Sequence, residues 1–548
     1  MANAIKHNLH EIDIYFEHGI RNLELPGDDI FDGLIRVVRL KSYGWSHIQV
    51  PNSSDAMKVL EGLQRVERLW LKDRDHDERR RRRRKIKQST RTNSPPHLLR
   101  SPHERSPPID MSPLQEMAIL WATVPYLHFD IHEQSGFPPL PDYNHHGTSP
   151  VDHVIYGRRQ RTASSLIRLR LRYHCICNAH FLKSWMANAV QQNLQEIDIF
   201  FRKGYFKLEL PDETFGDSIR VVRLKCHRLP YYLPDAMLSA PNLRTLEVDN
   251  LVLPFPGNED SRREIVISCP LLETLVLKDC RYDSLDVIKL STYGLKKLEI
   301  VTTKYAFRDE CTFEINTPNL SSFVYQAVNI SLDCDFGVFA GLVKASVLFE
   351  DSFLLEMLVD ATEDLNLLLL EWIKDLDAMK ILEGLQRVES LCLKKIQCFE
   401  RFPNTLGDLL ASYGKLKKLE LSMLLGNACS IIWLTTLLRS CPLLESFVLK
   451  LFKTFDSEEL EDKVEPVESV MPLPYTLSHL KYVTIETGVE ELNDEFEFLQ
   501  SLLNNAPNLE RMTVTRCAVN QERVPEFRDK LMALFQQFPN VQVSLQFY

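Results

Sequence analysis

An apolar triad spaced three and then two residues apart, L-x-x-L-x-L with other apolar residues admitted, recurs from residue 194 to residue 514. It starts at Leu194, Ile219, Leu243, Leu272, Leu295, Leu320, Leu342, Leu365, Val388, Leu416, Leu444, Leu480 and Leu509, at intervals of 22 to 29 residues except for one of 36. In an extended segment the last two apolar positions point to one side and the residue between them to the other. A unit this short cannot bury its apolar side alone, so successive units must stack and share one continuous core. A chain of 548 residues built this way is a repeat array and not a single globule.

Punctuation supports the same reading. Pro or Gly stands just upstream of many triads, at Pro241, Pro270, Pro318, Gly414, Pro442 and Pro507. Pro drives the residue before it out of the helical region and Gly permits a left-handed cap, so these positions end the preceding segment. The spacing predicts helices over 426–440 and 492–505. Cys280 and Cys517 stand three residues past their strands, where Asn or Cys bonds the turn. The expected fold is α/β: a leucine-rich-repeat solenoid, a curved parallel sheet with helices on its convex side.

The front of the chain repeats later parts of itself. MANAIKHNLHEIDIYF at 1–16 matches MANAVQQNLQEIDIFF at 186–201, and IRVVRLK occurs at 35–41 and at 219–225. DAMKVLEGLQRVERLWLK at 55–72 returns as DAMKILEGLQRVESLCLK at 377–394. The last two blocks lie 13 residues apart in front and 151 apart in the main copy, so the front copy lacks its middle. Its three strands are a marginal stack unless they dock on the main array. Residues 74–112 break the pattern with DERRRRRRKIKQ and a Ser/Pro-rich run, which bury too little apolar surface to fold and are expected to be disordered. FPPLPDYNHHGTSP at 137–150 reads as a loop before the array resumes near Leu166.

SCPLLETLVLKDC, SCPLLESFVLK, the Trp185-to-Val190 segment followed by NLQEIDI, and LSHLKYVTIETGVEELNDEFEFLQSLLNNAPNLERMTV at 477–514 resemble the F-box, leucine-rich-repeat and FBD proteins of plants. The resemblance covers about residues 115 to 548. It implies a non-enzymatic protein-recognition scaffold, similar to the substrate-binding part of an SCF-type ubiquitin ligase. Family members begin with an F-box that binds a Skp-type adaptor and, through it, a cullin. Here LWATVPYLHFD (120–130) resembles the segment that follows the box, and the Arg and Ser/Pro tract stands where the box is expected, which leaves adaptor and cullin binding open. The expected organisation is 1–73, truncated duplicate; 74–112, linker; 113–159, post-F-box-like segment and loop; 160–474, solenoid; and 475–548, FBD-like repeats.

Chemistry of other classes has little to stand on. There is no G-x-x-x-x-G-K, G-x-G-x-x-G or G-x-S-x-G, and His128, His132, His145, His146 and His153 lack Cys or carboxylates at zinc-ligand spacing. No cofactor, metal or catalytic group is expected. The 12 cysteines include no C-x-x-C and read as reduced core thiols. A net charge of -10 argues against nucleic acid as the main ligand, and no apolar run nears the length of a membrane span. The exception is the block Arg79, Arg80, Arg81, Arg82, Arg83, Arg84 and Lys85, which suits nuclear import and places the protein in nucleus, cytoplasm or both. The alternative function is a nuclear nucleic-acid-binding protein that uses the basic tract 79–87.

A partner's place follows from the alternation. The residue between the two core positions faces the concave side, giving the series Asp198, Arg223, Glu247, Val276, Glu299, Val324, Ser346, Leu369, Cys392, Glu420 and Val448. The series is charged towards its ends and apolar in the middle. Val276, Val324, Leu369 and Cys392 are therefore the candidate partner-binding residues, as exposed apolar surface often marks an interaction site.

Overall fold

A computed structural model of the chain describes residues 11–16, 37–42, 68–73, 124–131, 151, 155, 165–176, 179–203, 210, 212–227, 233–253, 264–282, 285–302, 311–326, 330–334, 341–348, 384–394, 413–424, 428–452, 475–487, 493–516 and 524–547. Residues 74–112, with the Arg block, and Leu369 and Cys517 lie outside them. The chain divides into two units, Met1–Pro254 and Phe255–Tyr548.

In the first unit the strands β1 (Glu11–Phe16), β2 (Val37–Ser42), β3 (Arg68–Asp73), β4 (Tyr126–Ile131), β5 (Arg168–Ile176), β6 (Glu196–Lys203), β7 (Val221–Cys226) and β8 (Thr245–Asp249) follow one another across one sheet. Each pairs in parallel with the next. The front duplicate reproduces the register of its template, since Ile12 faces Val38 as Ile197 faces Val222. Its missing middle does not stop the array, because β2 pairs directly with β3 and β3 docks on β4. Any triad presents the same core positions to either neighbour, so repeats are interchangeable in order. The array also begins earlier than the sequence predicts. Val124, just ahead of β4, and Leu127 and Phe129 on it form a triad, and all are buried.

Between β5 and β6 runs α1 (Ala179–Val190). Its buried residues Leu182, Trp185, Met186 and Ala189 recur at three and four positions, the stripe of a helix packed on one side. The Trp185 ring centre lies 6.0 Å from that of Tyr173 on β5.

The second unit has two sheets. One is a parallel ladder of β10 (Thr274–Lys278), β12 (Lys297–Val301), β14 (Ser322–Gln326), β16 (Lys344–Leu348), β17 (Ser390–Lys394), β18 (Lys418–Leu424), β19 (Ser446–Phe452), β20 (Tyr482–Thr487), β21 (Arg511–Arg516) and β22 (Gln542–Phe547), in that order. The other joins β9 (Glu264–Ile267), β11 (Val287–Leu290), β13 (Cys311–Ile315) and β15 (Ile330–Cys334), also in parallel. The expected return helices appear as α2 (Ala428–Arg439) and α3 (Asn493–Asn505), with α4 (Val524–Phe535) before β22.

Around β10 to β16 the return segments are strands, where helices had been expected. EIVI, VIKL and CTFEI alternate buried and less buried residues with period two, which a helix cannot satisfy. Tyr282 packs edge-on against Phe313 of this second sheet, ring centres 5.5 Å apart. In the described ladder β16 and β17 are hydrogen-bonded to each other, and the triad expected at 365–370 lies outside the described residues.

One bond pattern sets the register. The carbonyl one residue past the first core position accepts N–H bonds from two consecutive residues of the next repeat. The Glu273 carbonyl takes Lys296 and Lys297 at 2.9 and 3.0 Å, Lys296 takes Ser321 and Ser322, and Glu389 takes Lys417 and Lys418. The pattern recurs at Gln195, where the Arg220 and Val221 amides donate. A slip by one residue would break it and also turn the core leucines outward.

Candidate functional site

Inward positions of the strands are almost fully buried: Leu275, Leu298, Phe323, Val347, Leu393 and Leu421 are each 0% exposed. The intervening positions form the other face, and their chemistry differs between the two units.

In the first unit this face is closed by ion pairs between adjacent strands. Arg168 meets Glu196, Arg170 meets Asp198 at 2.9 Å, Arg223 meets Glu247 at 3.1 Å, and Lys225 meets Asp249. The Arg168 guanidinium also lies 6.0 Å from the Tyr126 ring centre. Such exposed pairs each contribute about 0.2–1 kcal/mol, so they fit neighbours together more than they hold the fold.

On the second unit's ladder the row nearest the strand starts reads Thr274, Lys297, Ser322, Lys344, Ser390, Lys418, Ser446, Tyr482 and Arg511. Lysine alternates with serine from Lys297 to Ser446, and the row carries no acid. The middle row holds Val276, Glu299, Val324, Ser346, Cys392, Glu420 and Val448. Beyond it come Lys278, Lys394, Lys450 and Glu486.

The three acids of these rows are already engaged. Glu299 receives Lys278 at 2.8 Å and Lys297 at 3.2 Å, while Lys450 lies 3.2 Å from Glu420 and 3.6 Å from Glu486. Burial pushes the Glu299 carboxyl up, but the two lysines' hydrogen bonds and charge outweigh it and leave it below its ordinary value. Among the described residues Lys344, Lys394, Lys418 and Arg511 have no ion-pair partner.

The expected apolar residues are thus placed but not joined. Val324 and Cys392 are partly buried on the strand face, and Val276 is only 6% exposed. Glu299 separates Val276 from Val324, and Ser346 separates Val324 from Cys392. No continuous apolar groove runs through them. Ser346 and Cys392 stand directly opposite each other on β16 and β17, and Leu369 lies outside the described residues.

Sequence reasoning overlooked the turn asparagines. In the PNL turns the Asn amide donates to a carbonyl of the preceding repeat: Asn242 to Asp217 at 2.9 Å, Asn319 to Tyr293 at 2.8 Å, and Asn508 to Ser478 at 2.7 Å. The recurrence of Asn just before the first core Leu was the available signal. Asn250, at φ 58°, donates to the Cys226 carbonyl at 2.9 Å, and the Cys280 thiol donates to that of Lys278 at 3.5 Å. Cys226, Cys269, Cys280, Cys311 and Cys441 are buried and form no disulfide. Burial pushes the Cys311 and Cys441 thiols up to about 12, far from the low values of reactive cysteines.

Among the described residues no group of three or more His, Cys, Asp or Glu could hold a metal ion, and no helix is long and apolar enough to cross a membrane. The site that remains is the strand face itself.

Comparison with known proteins agrees with this architecture. The family model described as "FBD-associated F-box protein At5g56370, LRR repeats" matches residues 182–335. The F-box/FBD/LRR-repeat protein At1g51370 of Arabidopsis thaliana is 23% identical over 404 residues, covering 72% of this chain and 80% of that one. The F-box/FBD/LRR-repeat protein At5g53840 of the same plant is 25% identical with the same coverage. The probable FBD-associated F-box protein At1g32375 is 28% identical over 148 residues, 26% of this chain and 34% of its own. With its ladder of parallel strands and these matches, the chain is similar to the plant F-box, leucine-rich-repeat and FBD proteins, and its own repeats are leucine-rich repeats.

Proposed function

We propose that this chain is a non-enzymatic recognition scaffold that binds another protein on its strand face, in the manner of the substrate-binding part of an SCF-type ubiquitin ligase. The observation that carries the reading is the ladder from β10 to β22. It presents three regular rows of polar and partly apolar side chains on a backbone fixed by repeated bonds. A rigid array of this kind offers a broad surface with its side chains pre-positioned, which lowers the entropy cost of recognition.

A photo-crosslinking residue at Val324, on the strand face, should capture a discrete protein that excess unlabelled chain competes away. The same probe at Val266, 47% exposed on the second sheet, should capture none. Equal capture from both positions contradicts the assignment of the face. Because the Arg and Ser/Pro tract stands where an F-box is expected, the purified chain should bind a purified Skp-type adaptor weakly or not at all. A tight adaptor complex, carrying a cullin with it, would overturn that part. Residues 79–85 are proposed as the nuclear import signal, and replacing the arginines by Gln should shift a fluorescent fusion to the cytoplasm. If instead that replacement abolished salt-sensitive retention on RNA or DNA, the nucleic-acid-binding alternative would take precedence.

A further inference from the structure

We infer that the strand face of the second unit, around β16 to β21, binds an acidic, extended segment of a partner protein. The inference rests on the reading of this face as a recognition surface and adds the chemistry of what it recognises.

Charge makes the first part of the case. The chain as a whole carries -10, yet the row nearest the strand starts holds lysines and an arginine and no acid. The acids of the rows, Glu299, Glu420 and Glu486, are held by Lys278, Lys297 and Lys450, and Glu510, beside Arg511, accepts a hydrogen bond from the Tyr482 hydroxyl at 3.1 Å. Lys344, Lys394, Lys418 and Arg511 are left over. The face of the first unit, where cations and anions alternate strand by strand and pair off, shows that the fold has no need of such a surplus.

Spacing makes the second part. Neighbouring strands lie about 4.8 Å apart, so Lys344 on β16 and Lys418 on β18 stand roughly 10 Å apart with Ser390 between them. A polyproline-II segment rises about 3.1 Å per residue with three residues per turn, so every third side chain returns to one face after about 9.3 Å. Carboxylates at that interval meet both lysines, and the serine hydroxyls between can donate to the same segment. A flat, sequence-tolerant polyanion such as RNA would be expected to find stacking aromatics; the row offers one, Tyr482.

The test uses the full chain and a labelled (Glu-Pro-Pro)4 peptide, read by fluorescence anisotropy over a series of salt concentrations. Binding should weaken as salt rises, and (Gln-Pro-Pro)4 should not bind. The double variant Lys344→Glu, Lys418→Glu should lose about ten-fold in affinity, as expected for two exposed ion pairs. An Arg439→Glu, Arg528→Glu variant, with the same charge change on the helices, should match the parent. The run at 456–468 is itself acidic; stronger peptide binding after Glu458, Glu459, Glu461 and Asp462 become amides supports the inference, with the chain's own run as a competitor. No peptide binding, equal loss in both double variants, or tighter binding of a twelve-nucleotide oligothymidylate through the same lysines would overturn it. If crosslinking from Val324 to a partner survives Lys344→Glu and Lys418→Glu, the recognition surface stands and only its acidic ligand is refuted.

Discussion

Phe323 and Val324 are consecutive residues of β14 that should respond to substitution in opposite ways, which tests the register directly. Phe323 is fully buried, faces Leu298 and Ala345 on the flanking strands, and stacks on Tyr325 with ring centres 6.3 Å apart. Its replacement by Ala leaves a cavity and costs about 3–5 kcal/mol. If Phe255–Tyr548 unfolds as one cooperative unit, its unfolding entropy is about 0.6 kcal/mol/K at roughly 2.1 cal/mol/K per residue, and the melting temperature falls by about 5–8 °C. Less cooperative unfolding of a few repeats makes the shift larger, since fewer residues share the loss. Val324 instead lies between Glu299 and Ser346 on the outer face. A lysine there reaches solvent and meets Glu299, so Val324→Lys should cost no more than about 0.5 kcal/mol, a shift below about 1 °C. Circular dichroism and calorimetry on both variants supply the readout. A fall of more than about 4 °C for Val324→Lys, with Phe323→Ala near neutral, would mean that the strand's two faces are exchanged.

Two further outcomes are expected. Glu299 is held below its ordinary value by Lys278 and Lys297, so its contribution is present above the unfolded-state value of about 4.3 and is lost as pH falls through the lower folded value. The wild-type advantage in melting temperature over Glu299→Gln should therefore be present at neutral pH and vanish on strong acidification; an advantage independent of pH contradicts the pairing. Asn508→Ala removes the bond to the Ser478 carbonyl and should cost about 0.5–1.5 kcal/mol in urea unfolding, whereas Asn504→Ala on the exposed side of α3 should leave the midpoint unchanged.

The amino-acid sequence by itself determined the repeat, the inward positions and two of the return helices. Leu298, Phe323 and Leu391 occupy the core because a two-residue alternation has only two faces and water rejects the apolar one. Ala428–Arg439 and Asn493–Asn505, within the segments expected to be helical, form helices because their apolar residues recur at helical spacing between a strand and a Pro-marked turn. Short segments were less legible. EIVI and VIKL are too brief for periodicity to separate strand from helix, and only pairing with their neighbours makes them a second sheet.

Adjacency belonged to the tertiary structure alone. The template places a triad at 365–370 between Lys344–Leu348 and Ser390–Lys394, whereas β16 and β17 pair directly with each other. Val276, Val324 and Cys392 looked contiguous because alternation says which way a residue faces and not which residue stands beside it. Strand pairing inserted Glu299 and Ser346 between them. The same pairing decided which cations are neutralised. Lys278 lies within reach of a carboxylate on the next strand, while Lys344 and Lys418 are flanked by serines on β14, β17 and β19. An ion pair depends on a distance between strands that local sequence does not encode, so the positive face became visible only once the strands were set side by side.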